Sequence, residues 1–162
     1  MIFLTVGTQF SFDRLIKAVD RAVEAGGIDE QVYAQIGDSS YRPRNFEAIC
    51  HLEKHLFDDC MRKASSVISH AGMGTITMAL DNAKPLLVMP RLSKYGEVVN
   101  DHQVAIARKY EQLGHVLVAY DEQDVSEKIK ALKHFVPRKR EVRREAVTAR
   151  ISSFLHELEN RG

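Results

Sequence analysis

The residues with the greatest chemical potential lie between positions 69 and 75, in the segment Ser-His-Ala-Gly-Met-Gly-Thr. Gly72 and Gly74 would let a ligand come close to the backbone. A helix beginning beyond them would offer free N–H groups and a partial positive charge. His70 and Thr75 could add hydrogen bonds to phosphate oxygens. These parts suit a diphosphate, although an ordinary strand-to-helix turn with glycines for tight packing explains the spacing equally well.

The same segment is neither a GxGxxG fingerprint nor a Walker P-loop. The sequence therefore gives little support to a bound NAD or ATP. A second glycine turn, Gly7-Thr8, follows the first apolar run and could face a phosphate or an acceptor. A plain turn is the simpler interpretation of that pair alone.

A polar cluster at residues 100–103, Asn-Asp-His-Gln, lies where a helix is expected to begin. Asp101 and Gln103 could bind the vicinal hydroxyls of a sugar. Helix capping by Asn100 and Asp101 is the competing interpretation. Two carboxylates, Asp38 and Glu97, lie in the predicted loops. Asp38 could contribute an acid or a wall of the cleft, although loop polarity alone explains it about as well.

The elements that must position these residues follow from the hydrophobic pattern. Strands are predicted over 1–6, 31–36, 45–50, 66–69, 86–89 and 116–119, and helices over 12–25, 53–64, 75–82, 98–113, 125–133 and from Pro137 towards Glu159. This alternation predicts an α/β fold, a Rossmann-like three-layer sandwich with a mainly parallel sheet. Ligands bind such sheets beyond the carboxyl ends of the strands. The loops after Val6, Ile36, Ser69 and Met89 should therefore line one cleft.

The chain is expected to divide into a domain over residues 1–136 and a basic amphipathic helix over 137–162. Six basic residues mark the start of that helix: Arg138, Lys139, Arg140, Arg143, Arg144 and Arg150. Its apolar face is expected to pack on the domain or on a partner. Its basic face could be solvated, or could dock on an anionic lipid surface or another protein.

Composition excludes several function classes. The net charge of +1, from 23 basic and 22 acidic residues, argues against a nucleic-acid partner. No apolar run approaches the ~20 residues of a membrane-spanning helix, and the apolar start at 1–6 lacks a signal peptide's basic segment. The histidines form no HExxH pattern, so no metal is expected. Cys50 and Cys60 suggest no disulfide framework, which favours a cytoplasmic setting.

Taken together and in order, these motifs resemble the glycosyltransferase family 28 C-terminal domain. The resemblance is carried by MIFLTVGT at residues 1–8, SHAGMGT at 69–75, Pro90-Arg91, YGE at 95–97 and NDHQ at 100–103. Within that family the sequence is most similar to PssE/EpsF-type bacterial proteins and to the catalytic subunit of the eukaryotic dolichol-linked N-acetylglucosamine transferase. The resemblance extends over about residues 1–135.

The resemblance implies the donor-binding, C-terminal half of a GT-B glycosyltransferase. Such a subunit takes a sugar from a UDP-sugar and acts with a separate membrane-anchored subunit of the PssD type. That partner supplies the acceptor half, and the acceptor is polyprenyl-diphosphate-linked. The expected setting is exopolysaccharide or capsule synthesis, on the cytoplasmic face of the membrane. The resemblance also implies no metal or cofactor, and little activity without the partner.

The resemblance also implies the donor-binding residues. These are Gly7, Thr8, Ser69, His70, Ala71, Gly72, Met73, Gly74, Thr75, Asp101 and Gln103. One departure concerns the ribose. Many GT-B donor domains have a glutamate a few residues after the glycine loop, and here Met78 occupies that place. Thr77 or Asp81 could substitute for it.

Met78 and the absence of an evident base leave a second interpretation open, a non-catalytic nucleotide-sugar-binding or regulatory subunit. A third is an interaction module that merely shares the fold. Transfer of a sugar would need a general base for the acceptor hydroxyl, for which Glu97 and Asp38 are candidates and the partner subunit an equally good source.

Overall fold

The computed structural model describes residues 1–139 and 144–159, and its centre is one parallel sheet. The strands are β1 (Ile2–Thr5), β2 (Val32–Gln35), β3 (Glu47–Ile49), β4 (Ser66–His70), β5 (Leu86–Met89) and β6 (Leu117–Val118). They lie in the order β3-β2-β1-β4-β5-β6, and every neighbouring pair is parallel. The predicted α/β fold is confirmed.

Helices connect the strands on both faces. They are α1 (Asp13–Glu24), α2 (Lys54–Lys63), α3 (Met73–Asp81), α4 (His102–Gln112), α5 (Glu122–Leu132) and α6 (Arg144–Glu159), with a 3-10 turn at Ser93–Tyr95. Each of the first five lies within or close to its predicted range. The fourth begins at His102 rather than at Val98, because the polar residues before it form a separate loop.

The strand order reverses between β1 and β4. The chain moves outward from β1 to β2 and β3, then returns to pair β4 on the other side of β1, with Thr5 opposite Ser69. Loops leaving two such neighbouring strands diverge, and a crevice remains between them at the carboxyl edge. The topology therefore brings the loop after β1 and the segment 70–75 to the same crevice.

Apolar side chains cover both faces of the sheet, as the pattern predicts. Along β1, Ile2 and Leu4 belong to one buried cluster and Phe3 to the other. Successive side chains of a strand point to opposite faces, so this split is what a strand buried on both sides requires. The central strands are thereby fixed, and their loop ends inherit a defined position.

The predicted start of the last helix is wrong. Pro137–Lys139 have no helical structure, and residues 140–143, including Arg140 and Arg143, lie outside the described residues. The Arg138 N–H donates to the Gly114 carbonyl at 2.8 Å, and the Arg138 carbonyl lies 2.8 Å from His115 Nδ1, which therefore donates. These two bonds bind the segment to the α4–β6 turn and prevent a helix there.

The long loop between β2 and β3 is held by one buried carboxylate, Asp20 of α1. It accepts hydrogen bonds from the Tyr41 hydroxyl at 2.6 Å, from the backbone of Arg44 and Asn45, and from the Asn45 amide. Burial raises the pKa of Asp20, but these hydrogen bonds together lower it by more than burial raises it. The pKa of Asp20 therefore lies below its ordinary value.

We expect Asp20→Ala to lower the free energy of unfolding by about 2–3 kcal/mol, because it leaves several buried donors without an acceptor. Asp29→Ala, which removes only an exposed pair with Lys133, should cost about 0.5 kcal/mol or less. Since the folded pKa of Asp20 is depressed, its contribution should be present near neutral pH and lost as the pH falls below 4. Denaturant unfolding of both variants at pH 7 and pH 3 measures this. Equal losses for the two variants at pH 7 would contradict it.

Candidate functional site

A cavity of about 380 Å³ opens at the carboxyl edge, where the strand order reverses. It is bounded by the loop after β1, the segment joining β4 to α3 and the segment joining β5 to α4. Its lining residues are Gly7, Thr8, Gln9, Phe10, His70, Gly72, Met73, Gly74, Thr75, Arg91, Val98, His102 and Gln103. The structure thus gathers residues from three separate stretches of sequence.

Two glycines are required by the ring of His70. A Cβ on Gly72 would lie 2.2 Å from His70 Nε2, and a Cβ on Gly7 would lie 3.0 Å from Cε1. Gly7 also has a φ of 75°, a conformation that other residues rarely adopt. Both backbones therefore pack directly against the imidazole, which a side chain at either position would displace.

The amino terminus of α3 forms one wall. The helix begins at Met73, its N-cap is Gly72, and no side chain caps it. Met73, Gly74 and Thr75, the first residues of α3, all line the cavity. Uncapped first-turn N–H groups and the helix dipole favour a negatively charged group at this wall.

Arg91 is the charged residue among the lining residues that were not predicted to bind the donor, which are Gln9, Phe10, Arg91, Val98 and His102. It is 3% exposed, and its Nη2 donates to the carbonyls of Val6 at 2.6 Å and Phe10 at 2.5 Å. Its guanidinium carbon lies 5.1 Å from the centre of the Phe12 ring. Among the described residues, Arg91 Nε is a buried nitrogen without a hydrogen-bond partner. An arginine directly after Pro90, at the end of an apolar strand, was the available signal.

The cavity carries positive charge. Burial lowers the pKa of Arg91 to about 10, with Glu97 opposing the shift, so the guanidinium stays charged at neutral pH. Burial and then the neighbouring Arg91 lower the pKa of His70 to about 4, while the Thr5 carbonyl opposes them. No carboxylate is among the described lining residues. The site therefore favours an anion with several acceptor oxygens.

The buried residues Ser69 and Ala71 hold the start of the segment that joins β4 to α3. Ser69 is fully buried, and its hydroxyl donates to the Thr5 carbonyl at 2.6 Å. Ala71 is also fully buried and contributes to the core rather than to the cavity wall. Their packing holds the backbone that carries His70 and Gly72.

The predicted sugar-binding pair has separate positions. Gln103 lines the cavity, but its side-chain oxygen accepts from the Arg91 backbone N–H at 3.1 Å, which leaves its amide NH₂ as a donor. Asp101 is exposed and accepts from the Ser93 N–H at 2.7 Å. Hydrogen bonds from Ser93 lower the pKa of Asp101. Asp101 is not among the lining residues, and its visible contact stabilises the 3-10 turn.

The two candidate bases have very different surroundings. Arg14 donates to both carboxylate oxygens of Glu97, through Nε at 2.9 Å and Nη2 at 2.8 Å, and both side chains are 9% exposed. Glu97 also accepts from the Leu92 N–H. This arrangement favours a structural role, since both oxygens are occupied. Asp38 is exposed and lies 3.0 Å from His51 Nε2, outside the cavity lining.

Met78, at the place expected for a ribose-binding glutamate, is half-buried and packs against the second core cluster. The cavity lining includes neither Met78 nor the suggested substitutes, Thr77 and Asp81. Within the described residues no group of three His, Cys, Asp or Glu side chains could hold a metal ion. No helix in that part of the chain is both long and apolar enough to cross a membrane.

Comparison with known proteins gives a family match and several relatives. The model of the glycosyltransferase family 28 C-terminal domain matches residues 1–158. The UDP-N-acetylglucosamine transferase subunit ALG13 of Homo sapiens is 32% identical over 125 residues, and that of Mus musculus is 30% identical over 124. These matches cover 71% and 70% of the chain but 10% of each relative. The chain therefore spans about a tenth of the length of these relatives.

Solved structures show the same fold. An NMR structure of ALG13 matches with a TM-score of 0.59, at 19% identity, over 93% of each chain. The glycotransferase of kitacinnamycin matches with a TM-score of 0.61, at 20% identity, over 98% of this chain and 39% of the other. Acinetobacter baumannii MurG gives 0.54, at 16% identity, over 83% and 45%. At these identities the likeness concerns the fold alone.

A double-mutant cycle tests whether the buried ion pair with Arg14 holds the carboxylate of Glu97. Arg14→Gln and Glu97→Gln should each lower the free energy of unfolding by about 3 kcal/mol, because each leaves a buried charge without its partner. The double variant should lose clearly less than the sum, by about 1–3 kcal/mol. The exposed pair Lys54–Asp58 serves as the control and should couple by about 0.5 kcal/mol or less. Additive losses at Arg14 and Glu97 would mean that the pair does not hold the carboxylate.

Proposed function

We propose that this chain, which belongs to the glycosyltransferase family 28 C-terminal domain family, is the donor-binding subunit of a UDP-sugar-dependent glycosyltransferase. The observation that carries the proposal is the cavity at the strand-order reversal. It combines the uncapped start of α3, the buried cation Arg91 and His70, with no carboxylate among its described lining residues. A donor diphosphate has the charge and the acceptor oxygens that this lining requires.

The chemistry asked of this site is stabilisation of a leaving group. The acceptor hydroxyl attacks the anomeric carbon, the bond from that carbon to the diphosphate oxygen breaks, and UDP leaves with the electron pair. Charge that develops on the leaving oxygen is then met by the α3 N–H groups and by Arg91. These donors are positioned before the reaction, so little reorganisation is needed as the charge forms.

The proton of the acceptor hydroxyl needs a base. Glu97 is held by Arg14, and Asp38 lies outside the cavity lining. We therefore place the base on the partner subunit. This assignment agrees with the expectation that the chain alone transfers sugar weakly or not at all.

The donor sugar and the acceptor are proposed on different grounds. UDP-N-acetylglucosamine is the first donor to test, because the human and mouse relatives are named as its transferase subunits. We propose a polyprenyl-diphosphate-linked acceptor, presented by a membrane-anchored subunit of the PssD type at the cytoplasmic face, in exopolysaccharide or capsule synthesis. The exposed Ile151 and Phe154 of α6 are candidates for docking that partner.

A second candidate function is a non-catalytic donor-binding or regulatory subunit. It is favoured by Met78, which packs against the second core cluster at the place where related donor domains have an acid, and by the occupied oxygens of Glu97. Both candidates require the same donor site. They differ in whether transfer occurs when the partner is present.

Calorimetric titration of UDP into the purified chain tests the donor site. We expect saturable binding that His70→Ala weakens by about 1–3 kcal/mol, which is about 5- to 150-fold, through loss of a hydrogen bond to a charged group. His134→Ala is the matched control, since His134 is exposed and is not among the lining residues. Equal effects of the two substitutions would contradict the assignment of the cavity. Absence of UDP binding in the wild-type chain would contradict the proposed function.

Reconstitution separates catalysis from regulation. The chain co-expressed with a membrane-anchored partner should transfer sugar from a UDP-sugar to a polyprenyl-diphosphate-linked acceptor. Glu97→Gln is not a fair test of catalysis alone, because it also breaks the pair with Arg14. Asp38→Asn is better suited, as Asp38 is exposed, and we expect it to retain most of the transfer rate. UDP binding without transfer in the reconstituted pair would favour the regulatory alternative.

A further inference from the structure

The hydrogen bonds around His70 define which ring nitrogen carries the proton. The only proton of the Ser69 hydroxyl is donated to the Thr5 carbonyl at 2.6 Å. Ser69 Oγ also lies 3.2 Å from His70 Nδ1. Since Oγ has no second proton to give, it must accept there, and Nδ1 must be the protonated nitrogen. The neutral ring then has a lone pair on Nε2.

Nε2 is the nitrogen available to a ligand. His70 lines the cavity, and a Cβ on Gly72 would lie 2.2 Å from Nε2, so only the absence of that atom leaves this ring edge uncovered. Within the described residues, no hydrogen bond involves Nε2. Diphosphate oxygens accept hydrogen bonds, and a lone pair cannot donate one. The neutral Nδ1–H form of His70 is therefore mismatched to the proposed ligand.

The burial of the ring and the charge beside it explain why it is neutral. Burial and the cation of Arg91, from the β5–α4 segment, lower the pKa of His70 to about 4. The β1 side contributes the Thr5 carbonyl, which opposes the shift, and Gly7. From α4, His102 is the other titratable group of the lining. A diphosphate bound in this cavity would bring negative charge close to His70, which raises the pKa of the ring.

We propose that binding of a diphosphate donor is coupled to uptake of one proton by His70 at Nε2, which converts a lone pair into a donor to a phosphate oxygen. The inference rests on the proposed function and adds a pH dependence to the same site. The bond formed is N–H at Nε2, and the proton comes from solvent. Ser69 acts as a positioning residue, since its hydroxyl orients the ring so that Nε2 is the nitrogen that titrates.

The sign of the pH dependence follows from linkage. A group whose pKa rises on binding strengthens binding as the pH falls. Between the pKa of His70 in the ligand-free protein and its higher pKa in the complex, affinity should therefore fall about tenfold for each unit of pH increase. The substitution His70→Gln removes the titrating group but keeps an NH₂ donor. It should therefore remove the dependence of affinity on pH.

The experiment is calorimetry with UDP-N-acetylglucosamine and UDP-glucose, whose diphosphates are diesters that do not titrate near neutral pH. Titrations at pH 7 in buffers of different ionisation enthalpy give the number of protons taken up. We expect close to one for the wild type, close to zero for His70→Gln, and an unchanged value for His102→Gln. Histidine ¹⁵N NMR should show the Nδ1–H form of His70 without ligand and two protonated nitrogens with it.

The outcomes distinguish the two proposals. Binding without proton uptake, or uptake that is lost in His102→Gln and kept in His70→Gln, would overturn this inference and leave the donor site in place. A wild-type NMR spectrum with the Nε2–H form in the free protein would also overturn it, because Nε2 could then donate without a further proton. Absence of binding by either UDP-sugar would overturn the proposed function and the inference with it.

Discussion

The geometry of the cavity depends on the hydrogen bonds that the guanidinium of Arg91 makes. Through Nη2 it holds the carbonyls of Val6 and Phe10, so the loop after β1 is bound to the end of β5 across β4. Its backbone N–H holds Gln103, and with it the start of α4. The residue Arg91 thus joins the loop after β1 through its side chain and the start of α4 through its backbone. Removing the side chain would release the loop after β1 from the end of β5.

The glycines at the strand ends make a second, shorter-range constraint. A Cβ on Gly37 would lie 3.1 Å from the Gly7 carbonyl, and Cβ atoms on Gly7 and Gly72 would both crowd His70. The ends of β2, β1 and β4 are therefore packed in a row, backbone against backbone and then against the imidazole. His70 is held between Gly7 and Gly72, so its orientation is set by the loop after β1 together with its own loop.

Sequence reasoning succeeded where the signal was local. Apolar runs and helical spacing predicted the alternation of elements, and the glycine-rich segment at 69–75 was placed correctly between a strand and a helix. Sequence reasoning missed contacts between residues that are far apart in the chain. Arg91 acts on carbonyls 81 and 85 positions away, and Glu97 meets Arg14 83 positions away. Residue type alone indicated a free carboxylate at Glu97, because nothing near it in the sequence shows its partner. The start of the last helix failed for the same reason, since Gly114 and His115 hold Arg138 in place.

These constraints explain why a strained charge distribution persists in the folded protein. A buried cation is unfavourable, Glu97 offsets only part of the cost of burying Arg91, and a neutral histidine beside it adds no compensation. The fold tolerates both because Arg91 is held by carbonyl groups and an aromatic face, while burial keeps His70 uncharged. The orphaned Nε of Arg91 and the lone pair of His70 are then two parts of one incomplete arrangement. An anion that brings its own acceptor oxygens, and a proton taken from solvent, would complete it together.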